Sequence, residues 1–298
     1  MEYREVLGLL GPNGAGKTTT VKILATLLLP DSGSARVAGY DVVKSPSMVR
    51  NSIGVTLTVE KGFFWKLTGR ENLKYFGMLR GLRGEELKER VDHLLKVLGL
   101  ERLGASDKFY EEYSLGMRAR LSLARALLTD PPVLILDEPT LGLDPPSART
   151  MRELLTKFAR EDGKAVLMTT HNMFEAELVC DRVAVIDEGR VIAFGTIREL
   201  KRMVTKRIAV NITASGSSTS LETLRKQLSR VIDGNLGLSV DEEGRFRVRI
   251  VSEAGEEESN LAEALKALSK LSLRVNRVKL EEPTLEDVFI TLTGKSGI

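Results

Sequence analysis

A glycine-rich segment near the start of the chain has the residue types and spacing of a phosphate-binding loop. The stretch from Gly11 to Thr19 fits the pattern G-x-x-x-x-G-K-[ST]. An apolar strand pattern precedes it and a helical pattern follows, so its backbone N–H groups can turn inward at the positive end of a helix. We therefore expect a triphosphate to be bound by Gly11, Asn13, Gly14, Ala15, Gly16, Lys17, Thr18 and Thr19. The alternative is a plain glycine-rich turn.

Three side chains at the end of this loop have distinct expected roles. Lys17 is placed to reach the β- and γ-phosphates as a point charge, and the Thr18 hydroxyl is a candidate ligand of Mg²⁺. Thr19 would add one further hydrogen bond to a phosphate. Alone, these residues indicate a nucleotide site and no particular reaction.

Two adjacent carboxylates, Asp137 and Glu138, close the aliphatic run Val133–Leu136. Such a run is typical of a parallel strand that is buried on both faces, and ligands bind at the carboxyl ends of such strands. Asp137 is expected to hold Mg²⁺ through water, and Glu138 is expected to polarise the attacking water as a general base. The alternative is an acidic turn before Pro139.

The chain has two histidines, and only one of them follows a predicted strand. His171 comes directly after the pair Thr169-Thr170, where an imidazole can hydrogen-bond the leaving phosphoryl oxygens and orient the water. His93 lies within a helical pattern and is predicted to be on the surface.

The elements that must position these residues form an α/β pattern. Strand and helix signals alternate from Val6 to about Met203, which predicts a parallel sheet covered by helices. One interruption, at about 68–130, is helical only and begins with a capping box at Thr68 and Glu71. We therefore predict a nucleotide-binding domain over 1–204 with an inserted helical subdomain.

The remaining segment, 205–298, has a different pattern. It contains a stretch at 214–218 that is predicted to be flexible. The order of elements over the whole segment, including the strand before that stretch, reads βαββαβ, which is ferredoxin-like. The segment from Lys206 onward contains fourteen acidic and fourteen basic residues. We expect an accessory α+β domain that tunes dimerisation or partner contact, or that only stabilises the chain.

Composition excludes several classes of function. The chain of 298 residues has a formal net charge of +3 and no basic block, which gives nucleic-acid binding no support. No apolar run approaches the ~18 residues needed to span a bilayer, so we expect a soluble, cytoplasmic chain. The single cysteine, Cys180, fits a reducing compartment and lies in an apolar stretch that is typical of a core.

Taken together, these motifs resemble those of the ATP-binding subunits of ATP-binding cassette (ABC) transporters, and most closely those of bacterial and archaeal exporters of drugs and antibiotics. The resemblance covers most of the first two hundred residues. It is carried by Gly11–Thr19, Tyr113–Arg118, Leu136–Thr140, Gly142–Pro145 and Thr170-His171. The fold implied by the resemblance is a P-loop NTPase of the ABC ATPase type.

The resemblance implies two copies, or this chain and a paralogue, facing head to tail with ATP sandwiched between them. Ser114 and Gly116 would contact the γ-phosphate held by the other copy, and Asp144 would link the two sites. A separate polytopic membrane permease is the implied partner. The chain would lie peripherally on the inner face of the cell membrane and drive transport, with export as the implied direction.

The chain departs from the family pattern at three places. Leu115 stands where a second glycine usually follows the serine, and we expect altered packing there rather than loss of the ATP contact. A loop glutamine that usually precedes the helical insert is replaced by Thr58-Val59-Glu60, so either Thr58 or Glu60 is a candidate substitute.

The third departure is at the start, because only ten residues precede Gly11. The family usually has two further strands there, with an aromatic residue that stacks on adenine, and Tyr3 is too close to the loop for that role. Either the chain starts late in its gene model, or adenine is held by groups other than a stacked aromatic residue.

Three aromatic residues, Phe63-Phe64-Trp65, follow the substituted loop. In the family this region lines a groove that receives a cytoplasmic helix of the membrane subunit, so exposed aromatics would anchor that contact. Burial in the core of the helical subdomain is the equal alternative.

Two other functions remain alternatives from the sequence. A soluble ABC ATPase of translation or DNA maintenance would usually carry two cassettes or long coiled coils, and neither is found in this sequence. A binding-only subunit with impaired hydrolysis would bind ATP weakly and turn over little.

Overall fold

The computed structural model describes residues 1–57, 62–204, 207–216, 220–232, 235–241, 243–253, 255–281 and 283–293. Thr58 and Glu60, the candidate substitutes for the loop glutamine, lie outside this part of the chain. The chain divides into two compact units, Met1–Ile197 and Arg198–Gly297. Within the described residues, no helix combines the length and apolar character that a membrane crossing requires.

The first unit is built on a six-stranded sheet. In spatial order its strands are β4 (Ile53–Thr56), β5 (Val133–Asp137), β6 (Ala165–Thr170), β1 (Val6–Leu10), β7 (Arg182–Asp187) and β8 (Arg190–Thr196). Neighbouring strands are parallel except for β7 and β8, which form an antiparallel hairpin. All residues of β5 and β6 are buried, and for β5 this confirms what its aliphatic run predicts.

Helices cover this sheet, and three of them form the predicted helical insert. The insert consists of α3 (Gly69–Leu79), α4 (Gly84–Val97), a short 3-10 helix at Tyr110–Glu112, and α5 (Leu115–Ala126). Thr68 and Glu71 make the reciprocal capping box that their spacing predicts. The other helices of this unit are α1 (Lys17–Leu24), α2 (Pro46–Ser52), α6 (Pro145–Arg160) and α7 (Met173–Val179).

The second unit has the ferredoxin-like topology that the sequence predicts. The helix α8 (Ile197–Val204) begins at the last residue of the first unit and continues into the second along the chain. The elements that follow are β9 (Arg207–Ser215), α9 (Leu221–Leu228), β10 (Asn235–Val240), β11 (Phe246–Glu253), α10 (Glu257–Lys270) and β12 (Arg274–Glu281). The strands pair antiparallel in the order β10-β11-β9-β12, with a core formed with α9 and α10. The strand β11 has apolar residues alternating with arginines over its first five positions, and its residues alternate between buried and less buried positions.

Two details differ from the sequence predictions. Ala214 and Ser215, predicted to begin a flexible segment, end β9, because Ala214 is fully buried and pairs with Phe246 and Val275 on the neighbouring strands. The chain also forms three elements that the sequence patterns do not indicate. They are a small hairpin of β2 (Arg36–Val37) and β3 (Tyr40–Asp41), the helix α2, and a last helix, α11 (Leu285–Thr293).

Candidate functional site

The glycine-rich loop joins β1 to α1 and is held against the turn between β7 and β8. A Cβ atom at Gly11 would lie 2.2 Å from the carbonyl oxygen of Ile186, so only glycine permits this approach. Gly16 precedes α1 with φ of 103°, a left-handed conformation that glycine adopts without strain. The N–H of Gly189 donates to the carbonyl oxygen of Ala15 at 3.0 Å. These contacts fix the loop at the N-terminus of α1.

The ammonium group of Lys17 is buried inside the loop. Its Nζ atom donates to the carbonyl oxygens of Gly11 at 2.7 Å and Pro12 at 3.1 Å. It also lies 3.7 Å from Oε1 of Glu138, with the lysine side chain 6% exposed and the glutamate side chain 18% exposed. A positive charge therefore sits in the concave side of the loop, where a phosphate is expected.

Asp137 receives two hydroxyl hydrogen bonds at the carboxyl end of β5. Thr18 donates to Oδ2 at 2.9 Å and Thr169 donates to Oδ1 at 2.5 Å. Asp137 pairs with Thr169 in the register of β5 and β6, and Leu10 pairs with Thr170 in the register of β1 and β6. The ends of these strands therefore bring Thr18 and Asp137 together, as the sequence predicts for open α/β sheets.

Glu138 has a left-handed backbone conformation, with φ of 50°. This conformation is costly for a residue with a side chain and is concentrated at functional sites. The Glu138 N–H donates to Oγ1 of Thr169 at 3.0 Å, and Oε2 of Glu138 lies 2.7 Å from Nδ1 of His171. The proposed base and histidine are thus in direct contact, while His93 is exposed on α4.

Thr169 also belongs to this site, although the sequence pattern predicts no role for it. Its hydroxyl accepts from the Glu138 N–H and donates to the Asp137 carboxylate, although the residue is fully buried. The available signal is a pair of polar residues, Thr169 and Thr170, at the end of a strand that is otherwise apolar. Only the register of β5 and β6 shows that this hydroxyl faces Asp137.

The exposed part of the loop leaves room for a ligand. Asn13, Gly14 and Thr19 are exposed, whereas Ala15 is buried. Gly14 has φ of 83°, and a Cβ atom built on it would have no neighbour within 4 Å. The backbone of Gly14 is therefore accessible from outside the loop.

The residues Ser114, Gly116 and Asp144 form a separate cluster at the N-termini of α5 and α6. Ser114 caps α5 by accepting the Met117 N–H at 3.3 Å. Asp144 caps α6 by accepting the N–H and the hydroxyl of Ser147 at 2.8 and 2.9 Å. These two bonds hold the pKa of the Asp144 carboxyl below its usual value.

Close packing joins the two halves of this second cluster. A Cβ atom at Gly116 would lie 2.5 Å from Oγ of Ser147, and one at Gly142 would lie 3.2 Å from Cδ2 of Leu115. Leu115 thus packs beside the loop that carries Asp144. Among the described residues, no hydrogen bond or ion pair joins Ser114, Gly116 or Asp144 to the group around Lys17.

The aromatic triplet divides between the two predicted environments. Phe63 is buried at 7% exposure and stacks on Tyr110. Phe64 and Trp65 are 46% and 53% exposed. Phe63 therefore lies in the core of the helical subdomain, whereas Phe64 and Trp65 have the exposure that contact with a partner requires.

A parallel sheet carries a loop around a buried lysine at the end of β1 and two carboxylates at the end of β5, with β6 between these strands. These features define a P-loop nucleotide-hydrolysing protein. The family description "ABC transporter" matches residues 1–141. The daunorubicin/doxorubicin resistance ATP-binding protein DrrA of Streptomyces peucetius is 38% identical over 292 residues, covering 97% of this chain and 84% of that protein. The linearmycin resistance ATP-binding protein LnrL of Bacillus subtilis (strain 168) is 36% identical, with 98% and 90% covered.

Solved structures agree with these sequence relatives. The cbiO1 protein from Clostridium perfringens, part of the ABC transporter complex cbiONQ, matches with a TM-score of 0.60 and 32% identity, covering 68% of this chain and 83% of that chain. A dimeric ATP-binding cassette in a post-hydrolysis state, bound to ADP and Pi, matches with a TM-score of 0.58 and 27% identity, covering 65% and 85%. The chain belongs to the ABC transporter family, of which it is an ATP-binding subunit and an ATPase.

Proposed function

We propose that this chain hydrolyses ATP to power export of a drug-type compound through a separate polytopic membrane permease. Two copies, or one copy and a paralogue, would face head to tail on the inner face of the cell membrane. The direction and the class of cargo follow from the relatives, whose names refer to resistance to daunorubicin, doxorubicin and linearmycin. The cargo itself would be selected by the membrane subunit.

The phosphates of ATP would lie in the loop between β1 and α1. Lys17 would exchange its bonds to the Gly11 and Pro12 carbonyls for bonds to the β- and γ-phosphates, since its ammonium is already held in the concave side of the loop. The backbone of Asn13, Gly14, Ala15 and Gly16 would supply N–H donors. The Thr19 hydroxyl, which is exposed beside the loop, would add another.

Mg²⁺ would be held by Thr18 and Asp137. Their oxygen atoms lie 2.9 Å apart, and hydroxyl and carboxylate oxygens are the ligands that Mg²⁺ prefers. The described residues contain no group of three or more His, Cys, Asp or Glu side chains that could hold a metal. This set fits Mg²⁺, which keeps several waters and uses one or two protein ligands together with substrate phosphates. When bound, the ion neutralises charge on the phosphates.

Hydrolysis would depend on Glu138 and His171. Glu138 would orient and deprotonate the attacking water, and His171 would hold the Glu138 carboxylate in position and contact the phosphoryl oxygens. The observation that carries this proposal is the continuous set of contacts from Lys17 to Glu138 and His171, and from Thr18 to Asp137. The side chains proposed for these roles therefore lie together at one edge of the sheet.

The second cluster would complete the site of the other copy. Ser114 and the N-terminus of α5 would present a hydroxyl and N–H groups to the γ-phosphate held by the opposite loop. Asp144 would connect the two sites. This arrangement is supported by the close packing of Gly116 on Ser147, which ties the cap of α5 to the cap of α6.

The test is capture of the partner by a variant that binds ATP and does not hydrolyse it. Glu138→Gln keeps the size of the side chain and removes the base, so we expect ATP turnover to fall by about a hundredfold or more. Tagged Glu138→Gln chain, purified with ATP and Mg²⁺ from solubilised native membranes, is expected to retain one polytopic membrane protein, identified by mass spectrometry.

The matched control carries Lys17→Ala in addition to Glu138→Gln. This double variant lacks the phosphate contact, so it is expected to lose the ATP-dependent capture. Recovery of ribosomes or nucleic acid with no membrane protein would overturn the transport function in favour of a soluble ATPase.

A further inference from the structure

The carboxylate of Glu175, on the first turn of α7, joins three elements of the first unit. Its Oε2 atom accepts a hydrogen bond from the hydroxyl of Thr140, which lies in the loop between β5 and α6. Its Oε1 atom accepts from Nη1 of Arg152, on α6, at 3.0 Å. Each oxygen of the carboxylate therefore connects α7 to a different element. These three side chains are called here the Glu175 junction.

The Glu175 junction is largely closed to water. Thr140 and Glu175 are both buried, and the side chain of Arg152 is 20% exposed. A hydrogen bond to an ionised carboxylate is strong in such surroundings, and loss of one partner would leave a buried charge without compensation. An ion pair on the open surface would contribute much less. The junction is therefore a firm link between the elements that it joins.

On one side the junction holds the loop that begins with Glu138. Thr140 lies two residues after this expected base, and the N–H of Leu141 donates to the carbonyl oxygen of Glu138 at 3.2 Å. Thr140 is thus enclosed in a tight turn. The residue between them, Pro139, has little freedom of its own because its ring fixes φ. A displacement of Thr140 would therefore be passed to Glu138.

On the other side the junction holds the segment that carries His171, four residues before Glu175. Asn172 caps α7 by accepting the Glu175 N–H at 3.1 Å, and its own N–H donates to Oγ1 of Thr170 at 2.9 Å. The backbone from the end of β6 to the first turn of α7 is thus fixed by two hydrogen bonds. The place of His171 depends on this segment.

The two segments therefore contact each other at two points. One is the contact of 2.7 Å between His171 and Glu138, and the other is the hydrogen bond between Glu175 and Thr140. A single contact between two side chains would let their loops rotate about it. The second contact removes that freedom, so the distance and the orientation of the expected base and the histidine are both defined.

We propose that Glu175 is a positioning residue of the ATPase. Through Thr140 it keeps the loop of Glu138 aligned with the segment of His171, and Arg152 compensates its buried charge. Glu175 acts through these residues rather than on ATP itself. The inference rests on the proposed function, since it takes the roles of Glu138 and His171 from there.

Steady-state ATP hydrolysis by the full chain tests the link at Thr140. Thr140→Val removes the hydroxyl and keeps the shape of the side chain. We expect kcat to fall about tenfold, because a misplaced base slows the chemical step. KM should stay within twofold, since the groups that bind the phosphates are not changed.

Two further variants separate positioning from a purely structural effect. Thr140→Ser restores the hydroxyl and is expected to restore kcat to within twofold. Thr150→Val makes the same chemical change on α6, where the hydroxyl donates to the Pro146 carbonyl oxygen at 3.0 Å, and should leave kcat unchanged. If Thr140→Val lowers the thermal unfolding midpoint but keeps full kcat well below that midpoint, the link is only structural and the inference is wrong.

A double-mutant cycle tests whether Glu175 and Thr140 act as one unit. Glu175→Gln keeps the size of the side chain but leaves one oxygen for two donors, so we expect a loss of kcat of about tenfold here as well. The double variant with Thr140→Val should be within about twofold of the slower single variant, because both changes break the same link. A loss near the product of the two, about a hundredfold, would show that they act separately and would overturn the inference.

The outcomes distinguish this inference from the proposed function. If Glu138→Gln abolishes hydrolysis while Thr140→Val and Glu175→Gln keep full kcat, the inference fails and the proposed function stands. If Glu138→Gln hydrolyses ATP as fast as the unmodified chain, Glu138 is not the base. Glu175 then has no base to position, and both proposals fail.

Discussion

Thr169 links the carboxylate of Asp137 to the backbone of Glu138 through a single hydroxyl group. It donates to Asp137 and accepts from the backbone N–H of Glu138, so it fixes both the side chain expected to hold Mg²⁺ and the backbone of the expected base. The left-handed conformation of Glu138 needs such support, since nothing in the residue itself favours it. At the scale of single residues, the geometry of the site therefore depends on a residue outside the reacting groups.

The variant Thr169→Val is expected to impair both catalysis and stability. Valine has the same shape, but it leaves the Asp137 oxygen and the Glu138 N–H without this partner, which costs about 1–3 kcal/mol of unfolding free energy. We also expect kcat for ATP hydrolysis to fall about tenfold to a hundredfold through misplacement of the base. Steady-state kinetics and denaturant unfolding measure the two effects. Thr169→Ser keeps the hydroxyl and should recover most of both; equal losses in the two variants would contradict this role.

The buried thiol of Cys180 provides a second prediction at the scale of single residues. Burial raises its pKa to about 12, and its sulfur packs against Gly8 on β1. An unfolded cysteine has a pKa of about 8.5, so the native state keeps a proton that the unfolded state loses above that pH. Stability should therefore be unaffected below about pH 8 and should fall as the pH rises from about 8.5 toward 12.

Two measurements check the state of this thiol. At pH 8 we expect Ellman's reagent to react with the native chain at least a hundredfold more slowly than with the denatured chain, since the thiolate is the nucleophile. The variant Cys180→Ala should lose the part of the alkaline decline in unfolding free energy that this group causes. Rapid reaction in the native state would contradict a buried, protonated thiol.

At the scale of elements, the sequence predicted those helices and strands that are determined by neighbouring residues. The aliphatic run of β5 and the capping box of α3 are properties of adjacent residues, and both elements form as expected. The strands β2 and β3 have two residues each and are defined only by their mutual pairing. The role of Thr169 depends likewise on the register of β5 with β6, two strands that lie far apart in the sequence. A pairing of this long range, between β5 and β6, leaves no signal in a local window of the sequence.

The N-termini of α5 and α6 provide a prediction about packing between elements. Gly116→Ala would place a Cβ atom 2.5 Å from Oγ and 3.0 Å from Cβ of Ser147. We expect a cost of about 1–3 kcal/mol from overpacking, measured by denaturant unfolding. In a Ser147→Gly background the clash is absent, so the same change should cost at least 1 kcal/mol less. Equal costs in the two backgrounds would show that Gly116 does not pack against Ser147 in solution.

At the scale of the whole molecule, each unit follows a simple rule of chain order. Alternating strands and helices give the parallel sheet of the first unit, and βαββαβ gives the antiparallel sheet of the second. The site, in contrast, is divided: the groups around Lys17 contact one another, while Ser114, Gly116 and Asp144 lie in a cluster of their own. Under the proposed function, a single copy would hold the phosphates of ATP, and the second cluster would contact a phosphate only across the head-to-tail dimer.

This division predicts that binding of ATP and formation of the dimer can be separated by mutation. In the Glu138→Gln background, Ser114→Arg should leave the affinity of the monomer for ATP within about twofold, because Ser114 would serve only the opposite loop. The same change should abolish the ATP-dependent dimer, since a long cation replaces the small hydroxyl at the N-terminus of α5, where positive charge is unfavourable. Fluorescent nucleotide titration and light scattering measure the two properties. Ser47→Arg, at an exposed position on α2, is the control that should leave both unchanged. A Ser114→Arg chain that still dimerises would place this serine outside the interface, and one that loses ATP binding as a monomer would place it in its own copy's site.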